Sequence, residues 1–167
     1  MQYKGPGGFG RVVNILMNIF MCSVFSFVML YIMQQRFGDQ VQILTPVAFI
    51  ISFITAFGIG YASGDLIPTW GIGSAVSQKL GLSGAPAYFV TVAVVDVIMT
   101  ILISFFMTMI NTIEHAGFVG GFMMWLEMLP LMLLIGYIVQ LVVMKPIMSF
   151  ATKVTGFDPN NPHAAEH

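Results

Sequence analysis

Four long runs of hydrophobic residues, separated by short polar breaks, make up most of the 167-residue chain. A helix needs about 20 apolar residues to cross the hydrocarbon core of a bilayer. By that measure the runs predict four membrane-spanning helices, at about residues 12–34, 44–67, 86–113 and 118–144.

The breaks between these runs predict how the helices connect. Residues 34–40 and 114–117 are long enough only for tight turns between antiparallel helices, whereas residues 64–86 are longer and rich in Gly, Ser and Pro. Less hydrophobic stretches at 69–81 and 147–156 each follow a proline and end near a lysine, which is typical of short interfacial helices. The predicted fold is therefore an all-α integral membrane protein, with four transmembrane helices in two tandem hairpins, each followed by a short amphipathic interfacial helix.

Composition supports a membrane location and excludes two other classes. The chain is 57% hydrophobic and 8% charged, whereas soluble domains carry about 25% charged residues. Its net charge of -1 leaves no basic surface for nucleic acid. The expected environment is the lipid bilayer.

The positive side chains predict the orientation, because lysine and arginine concentrate on the cytoplasmic side of membrane proteins. An orientation with both termini in the cytoplasm places only Arg36 outside. The lysines and arginines inside are then Lys4, Arg11, Lys79, Lys145 and Lys153.

The two halves of the chain resemble each other when the sequence is shifted by 78 residues. The matched residues are Met21 with Met99, Ser26 with Ser104, Phe27 with Phe105, Met29 with Met107, Gly58 with Gly136 and Pro68 with Pro146. The shift predicts a first two-helix unit at 1–81, a second at 82–157 and a flexible polar tail at 158–167.

The second half also resembles a known family. It carries Met-Thr-Met-Ile-Asn-Thr at 107–112, then Gly117, Trp125 and Lys145-Pro146 before an amphipathic tail. This pattern resembles the domain-of-unknown-function 2798 family, over about residues 95–156 directly and over 14–81 through the repeat. The resemblance implies a small protein of the bacterial cytoplasmic (inner) membrane built from two-helix units, and it implies no activity or catalytic residues.

Polar residues recur at four-residue spacing along the third span, and such residues form one inclined ridge on a helix. The ridge is Asp96, Thr100, Ser104, Thr108 and Thr112, and the shift by 78 matches it to a partly polar face of the first span. Close helix packing and a hydrated path between the halves both remain open interpretations. The candidate polar seam comprises Asn14, Asn18, Ser26, Thr100, Ser104, Thr108, Asn111 and Thr112.

Asp96 and Glu127 are the candidate proton- or ion-binding residues, because both fall near the middle of a predicted span. A carboxylate there costs roughly 2.5–3.5 kcal/mol on insertion scales, and intramembrane acids are commonly functional. We expect no cation within the spans to pair with either. The two carboxyls would then share a proton, hold a cation, or stay neutral as hydrogen-bond donors. Pro130, three residues after Glu127, predicts a kink that either lines a cavity or only bends the helix.

The remaining motifs indicate packing rather than chemistry. Ala56, Gly60 and Gly64 form a small-residue ridge suited to close helix contact. Methionine is abundant, at 14 residues, but Cys22 is the only thiol and the predicted spans contain no histidine. We expect no metal centre, no cofactor and no enzymatic activity.

Two functional hypotheses follow. In the first, the hairpins enclose the polar seam and form a proton- or cation-coupled transporter or channel-like protein. In the second, the protein is a non-catalytic membrane scaffold or accessory subunit, in which the seam only holds helices together. Four spans alone leave little room for a cavity, so a homo-oligomer, most simply a dimer, or a membrane-complex partner is expected.

Overall fold

The computed structural model describes residues 5–37 and 42–157, and the regular structure within these ranges is α-helical. The predicted tail at 158–167 lies outside them. The elements are α1 (Gly5–Phe37), α2 (Pro46–Leu66), α3 (Thr69–Lys79) and α4 (Gly84–Thr155).

Four helical segments are long and apolar enough to cross a membrane, which confirms the predicted multi-pass, all-helical architecture at that level. They extend beyond the predicted limits at most ends. Their bounds are Gly7–Phe37, Pro46–Leu66, Gly84–Glu114 and Ala116–Thr155.

The last two of these segments are two arms of α4 that meet at Gly117. This residue has φ 66° and ψ −179°, a conformation that costs a side-chain-bearing residue much more than glycine. Trp125 Nε1 donates to Ser104 Oγ at 3.0 Å, and Gln140 Nε2 donates to Asp96 Oδ1 at 3.2 Å. Trp125 and Ser104 are the pair nearer to Gly117 in sequence, and Gln140 and Asp96 are the pair further from it on both sides. The first arm (Gly84–Glu114) and the second arm (Ala116–Thr155) therefore lie side by side and run in opposite directions.

The second arm differs from the prediction at its C-terminal end. Residues 147–156 do not form a separate helix, because α4 continues through Pro130 and Pro146 with helical backbone dihedrals to Thr155. Proline removes one backbone donor, a loss that membrane helices tolerate where neighbouring helices pack against them. Here the packing is provided by Ile147, Ala151 and Thr155, which recur every four residues and are all buried. In the first half, by contrast, the helix ends at Leu66 and Ile67 is extended before Pro68, as the residue preceding a proline prefers.

Helix α1 and the first arm of α4 bury matching positions at a spacing of 78 residues. Both sets follow the pattern of two adjacent buried residues in every turn, which places them on one helix face. Thr108 Oγ1 contacts Met29 Sδ at 3.9 Å across this interface. The α1 set is Met17, Asn18, Met21, Cys22, Phe25, Ser26, Met29 and Leu30, and the α4 set is Val95, Asp96, Met99, Thr100, Ile103, Ser104, Met107 and Thr108.

Helix α2 packs against α1 through its small residues. Ala56 is fully buried, and a Cβ atom at Gly60 would overlap the amide oxygen of Asn18. A Cβ at Gly64 would overlap Asn14 in the same way. Only glycine permits this close approach, which brings both asparagine side chains against the α2 backbone.

Helix α3 packs against the beginning of α4. At Gly73 a Cβ atom would lie 2.7 Å from the backbone oxygen of Thr91. Ser77 Oγ lies 3.2 Å from Thr91 Oγ1, at hydrogen-bonding distance. These contacts hold α3 against the beginning of α4, and the first residues of α3 form part of the wall of the cavity described below.

Candidate functional site

Asp96 lies in the interior of the bundle, with 2% of its surface exposed. Thr100, one turn further along the helix, donates its hydroxyl to Asp96 Oδ1 at 2.9 Å. Gln140 of the second arm donates Nε2 to the same oxygen at 3.2 Å. The carboxyl is therefore held by side chains from both arms of α4, and its hydrogen-bonding partners are polar groups rather than ionised ones.

Gly136 makes room for this cluster. A Cβ atom there would overlap Asp96 Oδ1 and would lie 2.8 Å from Thr100 Oγ1 and 3.0 Å from Phe25 Cζ. Gly136 is one turn before Gln140, so both residues lie on the face of the second arm that meets Asp96. The absence of a side chain at Gly136 lets the Asp96 carboxyl approach the backbone of the second arm.

Gln140 is buried as deeply as Asp96, with 1% of its surface exposed. Its Nε2 group binds Asp96, but its Oε1 atom has no hydrogen-bond partner within the described ranges 5–37 and 42–157. A buried acceptor without a partner is unusual in a folded protein and raises the free energy of the folded state. Gln140 is therefore a functional candidate that the sequence analysis missed. The available signal was a lone amide in the apolar stretch between Met128 and Met144.

A cavity of about 400 Å³ begins at Gln140 and extends toward the end of the bundle where α1 starts. Its walls come from α1, from the end of α2 through the beginning of α3, and from both arms of α4. Asn14, Asn18 and Gln140 are the amide side chains along it. Gln140 both lines the cavity and donates to Asp96, so the carboxyl is linked to the cavity through a single side chain.

A second, polar depression adjoins the cavity and shares Gly10, Asn14 and Gly64 with it. It adds the ionisable side chains of Arg11 and Asp65. Asn14 Nδ2 lies 3.3 Å from Asp65 Oδ1 and donates to it. The charged groups thus lie in the adjoining depression, whereas the amides lie along the walls of the cavity.

Glu127 is not part of this site. Its carboxylate accepts two hydrogen bonds from the Arg36 guanidinium, at 2.9 and 2.5 Å, and its side chain is 61% exposed. The expectation that no cation pairs with Glu127 is therefore wrong. The helices carrying the two residues run in opposite directions, and side chains lean toward the N-terminus of their own helix. Arg36 and Glu127 consequently lean toward each other.

Asp96 and Glu127 also lie far apart. Glu127 precedes Gln140, the partner of Asp96, by 13 residues, which corresponds to about 20 Å along a helix axis. The structure does not bring the two acids together, so a proton or cation shared directly between them is not supported. Asp96 remains as the buried carboxyl, and Glu127 is one half of an exposed ion pair.

The predicted polar seam divides into two parts. Toward the cavity, Asn18 donates to Asn14 Oδ1 at 2.6 Å, and Thr100 binds Asp96. Toward Gly117, Thr112 donates to the backbone oxygen of Thr108 at 2.5 Å, and Asn111 donates to Met107 O at 2.7 Å. In this second part most polar groups are bonded within their own helix.

Two further seam residues lie between these parts. Ser104 Oγ accepts the bond from Trp125, and the buried Ser26 Oγ has no partner in the described part of the chain. The predicted kink residue, Pro130, lies within the helical second arm, whose only non-helical residue is Gly117. The non-helical break in α4 is therefore at Gly117, and the kink at Pro130 stays a prediction.

Comparisons of the chain with protein-family models, with curated proteins and with solved structures find no match. The chemistry of the site therefore rests on the contacts among Asp96, Thr100, Gln140 and the cavity.

Proposed function

We propose that the protein is a proton transporter or channel-like protein in which Asp96 takes up and releases a proton. The observation that carries the proposal is the buried Asp96 carboxyl, linked by Gln140 to a cavity of about 400 Å³. An intramembrane carboxyl is costly and is usually retained for function. A carboxyl that adjoins a cavity also has a path by which a proton can reach it and leave it.

Gln140 suits this role because an amide offers both a donor and an acceptor. With Asp96 ionised, Nε2 donates to the carboxylate, as the observed 3.2 Å contact does. With Asp96 protonated, a rotation of the Gln140 amide group by about 180° brings Oε1 to the carboxyl, and the carboxyl O–H then donates to Oε1. Proton binding at Asp96 is in this way coupled to the orientation of a side chain on the cavity wall.

The arrangement of the bundle supports a transport cycle with access from one side at a time. The cavity extends toward the end of the bundle that carries the start of α1, whereas Asn111 and Thr112, toward Gly117, donate to backbone oxygens of their own helix. We assign the cavity end to the cytoplasm, because Arg11, Lys79, Lys145 and Lys153 lie on the same side in the orientation with both termini inside.

The proposal includes the tandem-hairpin organisation and the resemblance to the domain-of-unknown-function 2798 family. The matching burial of α1 and of the first arm of α4 at a spacing of 78 residues supports a duplicated unit. Helix α3 would lie at the cytoplasmic membrane interface, in the inner membrane of a bacterium.

Proton uptake into liposomes tests the proposal. Purified protein is reconstituted with a trapped pH-sensitive dye, and a potassium diffusion potential drives protons inward. We expect wild-type protein to accelerate uptake relative to empty liposomes. Asp96→Asn should lower that rate at least about tenfold, because asparagine keeps the shape of the side chain but has no exchangeable carboxyl proton.

Glu127→Gln provides the matched control, since it neutralises a second acid of the spans at a position outside the site. We expect it to retain the wild-type rate. If wild-type protein gives no uptake, or if both variants behave alike, the transport proposal fails. The scaffold alternative predicts that result, with altered thermal stability as the sole effect of Asp96→Asn.

A further inference from the structure

The cavity beside Gln140 has a strongly apolar lining. Its described walls include five methionines, and methionine is a flexible residue that adapts to ligands of different shape. The volume of about 400 Å³ lies within the range of small-molecule sites. The methionines are Met17, Met21, Met99, Met144 and Met148.

Gln140, one of the residues that line the cavity, also carries a hydrogen-bond acceptor that no described residue uses. Gln140 Oε1 is buried and has no partner among the described residues, while Nε2 of the same amide is engaged by Asp96. The nearby Asn18 differs, because its amide group donates to the backbone and side-chain oxygens of Asn14. A ligand with a hydroxyl or N–H group would supply the donor that Gln140 Oε1 lacks.

The ligand should carry no net charge. None of the described residues that line the cavity is ionisable, and a buried charge without a partner is strongly unfavourable. Arg11 and Asp65 belong to the adjoining depression and not to the lining of the cavity that holds Gln140.

We infer that the cavity binds a neutral amphiphile, with an apolar body among the methionines and one hydroxyl or N–H donor to Gln140 Oε1. The inference goes beyond the proposed function and does not rest on it. A phospholipid acyl chain fits less well, because its end has no donor and would leave Gln140 Oε1 without a partner.

Binding of two isomers tests the donor. The probes are 1-octanol and heptyl methyl ether, which have the same formula but differ in the hydroxyl. Trp70 lines the cavity, so its fluorescence in Trp125→Phe protein reports binding in nanodiscs. We expect the alcohol to bind about tenfold more tightly than the ether, the effect of one satisfied hydrogen bond. Gln140→Met should abolish that preference, so that the ratio of the two dissociation constants is about one.

A second pair of variants tests the location without altering Gln140. Gly10 lines the cavity and Gly58 does not, and a Cβ atom at either meets nothing within 4 Å. Gly10→Leu should weaken binding of 1-octanol by at least about tenfold, whereas Gly58→Leu should leave it unchanged. Equal affinity for the two isomers, or equal behaviour of the two leucine variants, would overturn the inference.

The outcomes also separate this inference from the proposed function. Preference for the alcohol without proton uptake would support the binding site and reject transport. Proton uptake with no preference would support transport and reject the donor site. A phospholipid that copurifies with wild-type protein and is lost in Gly10→Leu protein would assign the cavity to lipid instead, contradicting the inference.

Discussion

Gly136→Ala is expected to destabilise the protein by about 1–3 kcal/mol, the usual cost of inserting atoms into a packed interior. The added Cβ would overlap Asp96 Oδ1 and would also approach Thr100 Oγ1 and Phe25 Cζ. The carboxyl cannot move aside without losing its bonds to Thr100 and Gln140. Thermal or denaturant unfolding in detergent, compared with wild-type protein, measures the effect.

Gly58→Ala is the matched control, since it makes the same change on a membrane-spanning helix at a site where Cβ meets nothing within 4 Å. Alanine has the higher helix propensity, by about 1 kcal/mol. The control should therefore be neutral or slightly stabilising. Equal stability of the two alanine variants would show that the second arm does not approach Asp96 as closely as described.

Gly73→Ala should also destabilise the fold by about 1–3 kcal/mol, because its Cβ would lie 2.7 Å from the backbone oxygen of Thr91. A backbone atom within α4 cannot yield as a side-chain end can. Gly71, two residues earlier in α3, meets nothing closer than Pro68 Cβ at 3.9 Å.

Protease accessibility of the connection between α3 and α4 reports the displacement of α3 directly. Gly73→Ala should increase cleavage there, and Gly71→Ala should not. If Gly73→Ala leaves both unfolding and cleavage unchanged, α3 is not anchored to α4 through Gly73.

The membrane spans and the buried face of α4 were predictable from the sequence. Each span is a long apolar run, and length alone identifies it. The ridge that begins at Asp96 and Thr100 follows the helical repeat, so its residues share one face wherever the helix is placed. Burial of that face then follows from its polarity, because polar groups in a bilayer turn toward the protein interior.

The pairing of Arg36 with Glu127 could not be predicted in the same way. The pairing depends on two positions along the bundle axis. One is the end of α1, at Phe37, and the other is the level of Glu127 in the second arm relative to that end. Neither quantity is encoded in a local pattern. Hydropathy placed Glu127 near the centre of a span, but hydropathy carries no information on which neighbouring helix supplies a partner.

The periodicity of hydrophobic and polar residues also could not predict the cavity or the role of the Gln140 amide. The cavity is lined by residues of α1, of the segment from Gly64 to Gly71 and of both arms of α4, which are far apart in sequence. Gln140 is a single polar residue with no spacing partner, so no motif singled it out. At Pro146 a local rule predicted a helix end, and packing of Ile147 and Ala151 kept the helix continuous.

The proton on Asp96 itself can be observed by infrared difference spectroscopy. A protonated carboxyl has a C=O stretch that the carboxylate lacks, so acidification of reconstituted protein should add one such band from a buried group. We expect Asp96→Asn to remove this band and Glu127→Gln to leave it in place. A band that persists in Asp96→Asn protein, or the lack of any buried carboxyl band in wild-type protein, would contradict proton binding at Asp96.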